Sequence, residues 1–257
     1  MLIKVLYFIF IILLCLHYDY LKHLPLFDRH FDVFSYLVRC IWGFILKGLF
    51  FRFYIRLKVI GSYKEIYRNH PRLLVISNHA SHLDAVSIAA TIPFLYWTDV
   101  FIAAAKDYFF SNPLVTFFSQ HCLGAIPIDR KDKKGEAVKL CITLLNQLDR
   151  IWLILFPEGT RSQDGKIHEF KRGVSIFSEK TNTPILFLYL DGNSSLWPKG
   201  NIFAKPGKLI LHVGPVQPPA PIETIYLNYR KWVETINPIA FAEDIHIAQE
   251  DIVKNFV

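Results

Sequence analysis

A chain of 257 residues can bury one sizeable core, so the natural count is one domain plus an appendage. Hydrophobic residues at 52%, aromatics at 15% and a mean hydropathy of +0.27 exceed what an ordinary soluble domain needs and point to a membrane surface. The formal charge of +7 gathers between residues 29 and 72, where Arg29, Arg39, Lys47, Arg52, Arg56, Lys58, Lys64, Arg68 and Arg72 meet only Asp32 and Glu65. Interleaved with Phe, Trp and Leu, that pattern suits anionic lipid headgroups and argues against a nucleic-acid partner, the plainer alternative being a solvated basic face. Cys15, Cys40, Cys122 and Cys141 have no Cys-x-x-Cys spacing, which points to reduced thiols in a cytoplasmic compartment and away from a cysteine zinc site.

Residues 5–16 are twelve uninterrupted apolar positions, about 18 Å of helix against a hydrocarbon core of about 30 Å. Lys4 alone charges the leading end and no small-residue cleavage site follows Leu16, so a retained, partly inserted helix is expected rather than a signal peptide. Across residues 28–54, Phe31, Phe34, Val38, Ile41, Ile45 and Leu49 keep the spacing of one helix face. The pair reads as a membrane-associated hairpin over residues 1–55, with Arg39, Lys47, Arg52 and Arg56 reaching the phosphate layer; a two-span hairpin is the alternative. The expected place is the cytoplasmic face of the inner membrane.

Residues 56–257 read as an α/β domain with a C-terminal helical tail. Strands are expected at Arg56–Ile60, Leu73–Ser77, Val100–Ala104, Ala125–Ile128, Trp152–Phe156, Ile185–Leu190 and Leu209–Val213. Helices are expected at Ala85–Ile92, Pro113–Gln120, Gly135–Leu148, Val174–Lys180 and Ile222–Ile236. Alternation of this kind predicts a mixed, largely parallel sheet of about seven strands flanked by helices on both faces.

The chemistry is expected behind the Leu73–Ser77 strand, in Ser77-Asn78-His79-Ala80-Ser81-His82-Leu83-Asp84. Five helical positions separate residues by about 140°, so His79 meets Asp84 only if His79 lies in the turn and Asp84 in the first helical turn, with Ser81 as N-cap. A carboxylate would then hold one ring nitrogen while the other acts as general base. Glu158-Gly159-Thr160-Arg161 follows another strand, where ligands of α/β sheets bind. Gly159 permits close backbone approach, and Arg161 offers a bidentate fork. Lys106 and Arg130 also follow strands. The plain readings are a solvated charge for Arg130 and an ion pair of Arg161 with Glu158 or Asp164. His79, His82 and Asp84 as metal ligands are a further alternative.

Taken together, these stretches resemble the motifs of the glycerophospholipid acyltransferases typified by the lysophosphatidic acid acyltransferases. Asn78-His79 through Asp84 is similar to that family's first motif. Ala105-Lys106, Pro113 and Gly124 through Arg130 resemble the second, Phe156 through Ser162 with Phe170 through Gly173 the third, and Thr183-Pro184-Ile185 the fourth. The resemblance implies transfer of a fatty acyl chain from acyl-carrier protein or acyl-CoA to a lysophospholipid hydroxyl at the bilayer, without metal or cofactor. It implies His79 and Asp84 as the catalytic pair, and Lys106, Arg130, Glu158, Gly159, Thr160 and Arg161 around the acceptor phosphate, Glu158 in an orienting role. Lys171 and Arg172 are candidates for the donor's phosphates or, equally, cover the solvent side of the next helix, and His82 reads as a bystander. Asp107 and Tyr108, and Leu188 through Asp191, depart from the family pattern and leave the acceptor open among lysophosphatidic acid, lyso-ornithine lipid, glycerol-3-phosphate and a glycolipid. A non-catalytic lipid-binding protein of the same fold is the competing class.

Overall fold

The computed structural model describes residues 33–105, 113–128, 135–198, 200–201 and 203–242. The apolar run 5–16, Lys106 and Arg130 lie outside these.

Seven strands form one sheet: β1 Ile55–Ile60, β2 Arg72–Ile76, β3 Val100–Ala105, β4 Ala125–Ile128, β5 Ile151–Leu155, β6 Ile185–Asp191 and β7 Gly207–Gln217. Their order is β1-β7-β6-β2-β5-β3-β4, and every pairing is parallel except β6 with β7. The mixed, largely parallel sheet is therefore as expected. The central strands are apolar at almost every position because both faces are covered. Leu74, Ile76, Leu153, Leu155, Ile185 and Phe187 point into one core, and Leu73, Val75, Trp152, Ile154, Leu186 and Leu188 into the other.

The first described helix, α1 (Val33–Phe44), runs on as π-type turns over Ile45–Tyr54. Turns closed between residues five apart bring Leu46 and Phe51 onto one side, and both are buried against the second core. Ile41, Ile45 and Leu49, the stripe expected from the sequence, face outward with Phe44 and Phe53. One cation corrects the expectation of a headgroup-facing set. Arg39 is buried, donates to the Trp97 carbonyl at 3.3 Å and lies against Gly124, while Lys47, Arg52 and Arg56 are exposed. Among the described residues no helix is long and apolar enough to cross a membrane.

Four more helices follow along the chain, and residues such as Tyr67, Ile88 and Leu144 join the cores on the two faces of the sheet. They are α2 (Lys64–Asn69), α3 (Asp84–Thr91) after β2, α4 (Pro113–Phe117) continued by π-type turns over Phe118–Cys122, and α5 (Glu136–Gln147). Then follow α6 (Gly173–Thr181) after β5, the short α7 (Asn193–Leu196) after β6, and α8 (Ile222–Glu234). The short α2 and α7 are not expected from periodicity, which needs longer windows. β2 lies between β5 and β6, so the chain reverses its direction across the sheet there, and a crevice opens at the strand carboxyl ends. Thr183 and Pro184 precede β6 and sit at the opposite end, remote from His79.

Candidate active site

Three adjacent strands deliver the site. The turn after β2 carries Ser77 through Leu83, the turn after β5 carries Phe156 through Ser162, and the turn after β6 carries Gly192 and Asn193.

Asp84 opens α3, and His79 lies in the turn ahead of it, the arrangement their spacing demands. The His79 Nδ1 and Asp84 Oδ2 are 2.8 Å apart. The same oxygen accepts the main-chain amides of Ala80 at 2.8 Å and Ser81 at 2.9 Å, while Oδ1 accepts the Asn193 side-chain amide at 2.8 Å. Asp84 is fully buried, whereas the His79 side chain is 20% exposed. Accepting from Nδ1 fixes the tautomer that leaves the Nε2 lone pair for a proton. Ser81 is not the N-cap of α3. Its hydroxyl instead donates to the Trp197 carbonyl and accepts the Leu83 amide, stiffening the turn.

The Phe156 ring stacks on the imidazole, centroids 4.1 Å apart and planes 17° from parallel. Asn78, also buried, makes two bonds to the main chain of Leu190, accepting its amide at 2.8 Å and donating to its carbonyl at 3.0 Å. Its own amide donates to the Tyr229 hydroxyl, which donates to Leu188. The region that departs from the fourth motif thus holds the first motif in place through its backbone.

Glu158 is 5% exposed, and its carboxylate accepts the amides of His79 at 2.8 Å and His168 at 3.2 Å. Burial pushes its pKa up to about 8 against the pull of those two bonds. An acid that holds both amides braces the turn, in keeping with an orienting role. The Ser162 amide donates to the His79 carbonyl at 2.7 Å, so both main-chain groups of His79 are held by the turn after β5.

Gly159 has φ +70°, and the Lys171 ammonium and stem lie where a side chain on it would go. Lys171 therefore sits on the turn after β5, while Arg172, exposed, stands just ahead of α6. Arg161 meets His82 across the turns after β5 and β2. Its guanidinium lies against the His82 ring, 2.5 Å from Nδ1, and Trp197 flanks that ring at 5.1 Å. His82 thus touches Arg161, and its pKa is lowered by burial and then by Arg161. Asp164 accepts the Ser162 hydroxyl at 2.7 Å, which with the Lys166 amide and His168 holds its carboxyl down to about 2. An open cleft of about 380 Å³ lies along Glu158, Thr160, Arg161, Ser162, Asp164 and His168.

The arrangement joins an imidazole, its carboxylate partner and a neighbouring turn that carries Gly159 and Arg161. An acyltransferase family model matches residues 58–190. The 1-acyl-sn-glycerol-3-phosphate acyltransferase BAT2, chloroplastic, of Brassica napus is 25% identical over 181 residues, 68% of this chain and 48% of that protein. The alpha form from Mus musculus is 31% identical over 150 residues, 55% and 48% of the two, and the Helicobacter pylori enzyme of that name 33% identical over 133 residues, 49% of each. The chain spans about half the length of these relatives. Its fold is similar to the crystal structure of the 1-acyl-sn-glycerophosphate (LPA) acyltransferase PlsC from Thermotoga maritima, with a TM-score of 0.61 and 24% identity over 87% of this chain and 94% of that one. With the matched segment running from within β1 to Leu190 of β6 and enclosing the turns after β2 and β5, the chain belongs to the acyltransferase family.

Proposed function

We propose that the protein moves a fatty acyl chain from an acyl thioester, on coenzyme A or acyl-carrier protein, to the free hydroxyl of lysophosphatidic acid, giving phosphatidic acid. The observation that carries this reading is the His79–Asp84 pair, 2.8 Å apart, beside a turn that offers Gly159, Thr160 and Arg161 to an anion. His79 Nε2 takes the hydroxyl proton as the oxygen attacks the thioester carbonyl carbon. The C–O bond forms, the C–S bond breaks, and the proton passes from His79 to the departing thiolate. Buried Asp84 supports the imidazolium in between. No acyl-enzyme forms.

Arg161, with Lys106 and Arg130 from beyond the described residues, holds the acceptor phosphate, while Lys171 and Arg172 meet the donor's phosphates. The three cations favour a phosphate monoester among the acceptors, and the relatives share a name that specifies such an acceptor. Membrane association follows from the exposed Ile41, Phe44, Leu49 and Phe53 beside Lys47, Arg52 and Arg56, since extracting a lipid chain into water costs about 0.8 kcal/mol per methylene. The run 5–16 would complete the membrane-associated hairpin ahead of the α/β domain, on the cytoplasmic face.

The test is thiol release from acyl-CoA and from acyl-carrier protein, with and without lysophosphatidic acid. Acceptor-dependent release is expected, falling about 10²- to 10⁴-fold in His79→Ala with the fold retained. Undiminished turnover in that variant, or no thiol release with either donor, would sink the reading.

A further inference from the structure

We infer that Asn193 is a positioning residue for the Asp84–His79 pair, a role that rests on the reading of His79 as the base. Asn193 lies 109 positions from Asp84 in sequence and outside every motif that marks the site. Gly192, at φ +86°, turns the chain off the end of β6, and a side chain on it would meet the Lys208 carbonyl 3.1 Å away. That turn drops the Asn193 side chain into the interior, 3% exposed, with its amide 2.8 Å from Asp84 Oδ1.

The two carboxylate oxygens are unequally supplied. Oδ2 takes His79 Nδ1 and the amides of Ala80 and Ser81, whereas Oδ1 takes only Asn193 among the described residues. Asp84 is fully buried, so water is not at hand to replace that donor. Without it, Oδ1 is an unpaired buried acceptor. The ionised carboxylate becomes costlier, and the group can turn about its last torsion to seek another donor. Both changes weaken the hold on His79 Nδ1 without touching the acceptor-phosphate turn. Asn193 therefore acts on the chemical step and leaves acceptor binding alone.

The experiment measures kcat, acceptor KM and their pH dependence in the full chain for Asn193→Leu and Asn193→Asp, each also combined with Asp84→Asn, with wild type and His79→Ala alongside. Asn193→Leu lowers kcat by about 10- to 100-fold, as loss of an orienting partner does, with acceptor KM within about two-fold. In the Asp84→Asn background the same change adds little, because both act through one bond. Asn193→Asp, near in shape, donates to Asp84 only while its new carboxyl is protonated, so its kcat relative to wild type falls as pH rises. Should Asn193→Leu not fold, that pH dependence decides alone.

A kcat for Asn193→Leu within about two-fold of wild type, losses that multiply with Asp84→Asn, or a pH-independent ratio for Asn193→Asp overturns the inference. A dead His79→Ala beside an undiminished Asn193→Leu overturns it alone, whereas an active His79→Ala overturns it together with the reading on which it rests.

Discussion

The Glu158 carboxylate accepts the main-chain amide of His79 at 2.8 Å. An acid on the turn after β5 thereby fixes the backbone of His79 on the turn after β2, and its other oxygen reaches the amide of His168. Neighbouring parallel strands end side by side, so one buried side chain can brace both turns.

This brace should show in the pH dependence of stability. The folded-state pKa of Glu158, about 8, lies above its ordinary 4.5, so between them the folded protein keeps a proton that the unfolded chain has released. The stability linked to this group is fully present below about pH 4.5 and is lost as pH rises through about 8. Glu158→Gln removes that slope and sets its amide group against one main-chain N–H, a cost of about 1–3 kcal/mol at pH 5. Urea unfolding of both proteins should give a wild-type advantage that shrinks from about pH 5 to 8, as the linkage requires; a constant difference would count against it.

Phe156 packs flat on the His79 ring at 4.1 Å. Phe156→Leu removes about 1 kcal/mol of ring-on-ring contact, or roughly five-fold if that stacking steadies the imidazole in the transition state. The expected result is a lower kcat at unchanged acceptor KM. A raised KM with kcat intact would place Phe156 with substrate binding instead.

Gly159 combines φ +70° with Lys171 Nζ at 2.8 Å from the place of a β-carbon. Gly159→Ala should lower stability by about 1–2 kcal/mol through the left-handed backbone and push Lys171 off the turn. Thermal unfolding gives the first effect. A raised KM for the acyl donor, compared with Lys171→Ala, gives the second.

Arg161 is expected to serve the acceptor rather than the proton transfer. Arg161→Ala removes a charge-assisted bond of about 1.5–3 kcal/mol, so KM for lysophosphatidic acid should rise roughly ten-fold or more. Arg161→Lys, a point charge without the planar fork, should recover only part of this. An acceptor without a phosphate should be indifferent to both changes, and equal losses with it would remove Arg161 from the phosphate site.

Membrane association is best probed by point substitution. A truncation ahead of Ile55 would strip Leu46 and Phe51 from the core. Ile41, Phe44 and Phe53 are 63%, 72% and 72% exposed, so changing all three to Ser should spare the fold. At about 1.5 kcal/mol for each side chain sunk into lipid, affinity for anionic vesicles should fall well over ten-fold. Unaltered cosedimentation would move the anchor to the run 5–16 alone.

Much of this architecture could be read from one dimension. β4 matches its expected range, and the other strands fall within one or two residues of expectation except β7, which is longer at both ends. Strands covered on both faces are apolar runs cut off sharply by polar turns, and such runs are visible without knowing their neighbours. Helix direction was harder: the i→i+5 turns of Ile45–Tyr54 put Leu46 and Phe51 inward where a 3.6-residue repeat gave no warning. Arg39 was equally opaque, since a buried guanidinium against Gly124 and Trp97 looks in sequence like one more basic residue.

By itself the sequence determined which residues stand at the end of β2 and the one arrangement in which they can meet, because at a five-residue separation His79 reaches Asp84 only from the turn ahead of the helix. It also determined that a glycine and an arginine follow β5, where a parallel sheet presents ligands. Only the tertiary structure decided what holds that pair. Glu158, Asn193, and Leu190 through Asn78 reach it from turns and a strand far along the chain, and their contacts depend on β5 and β6 flanking β2, an order that local periodicity does not encode.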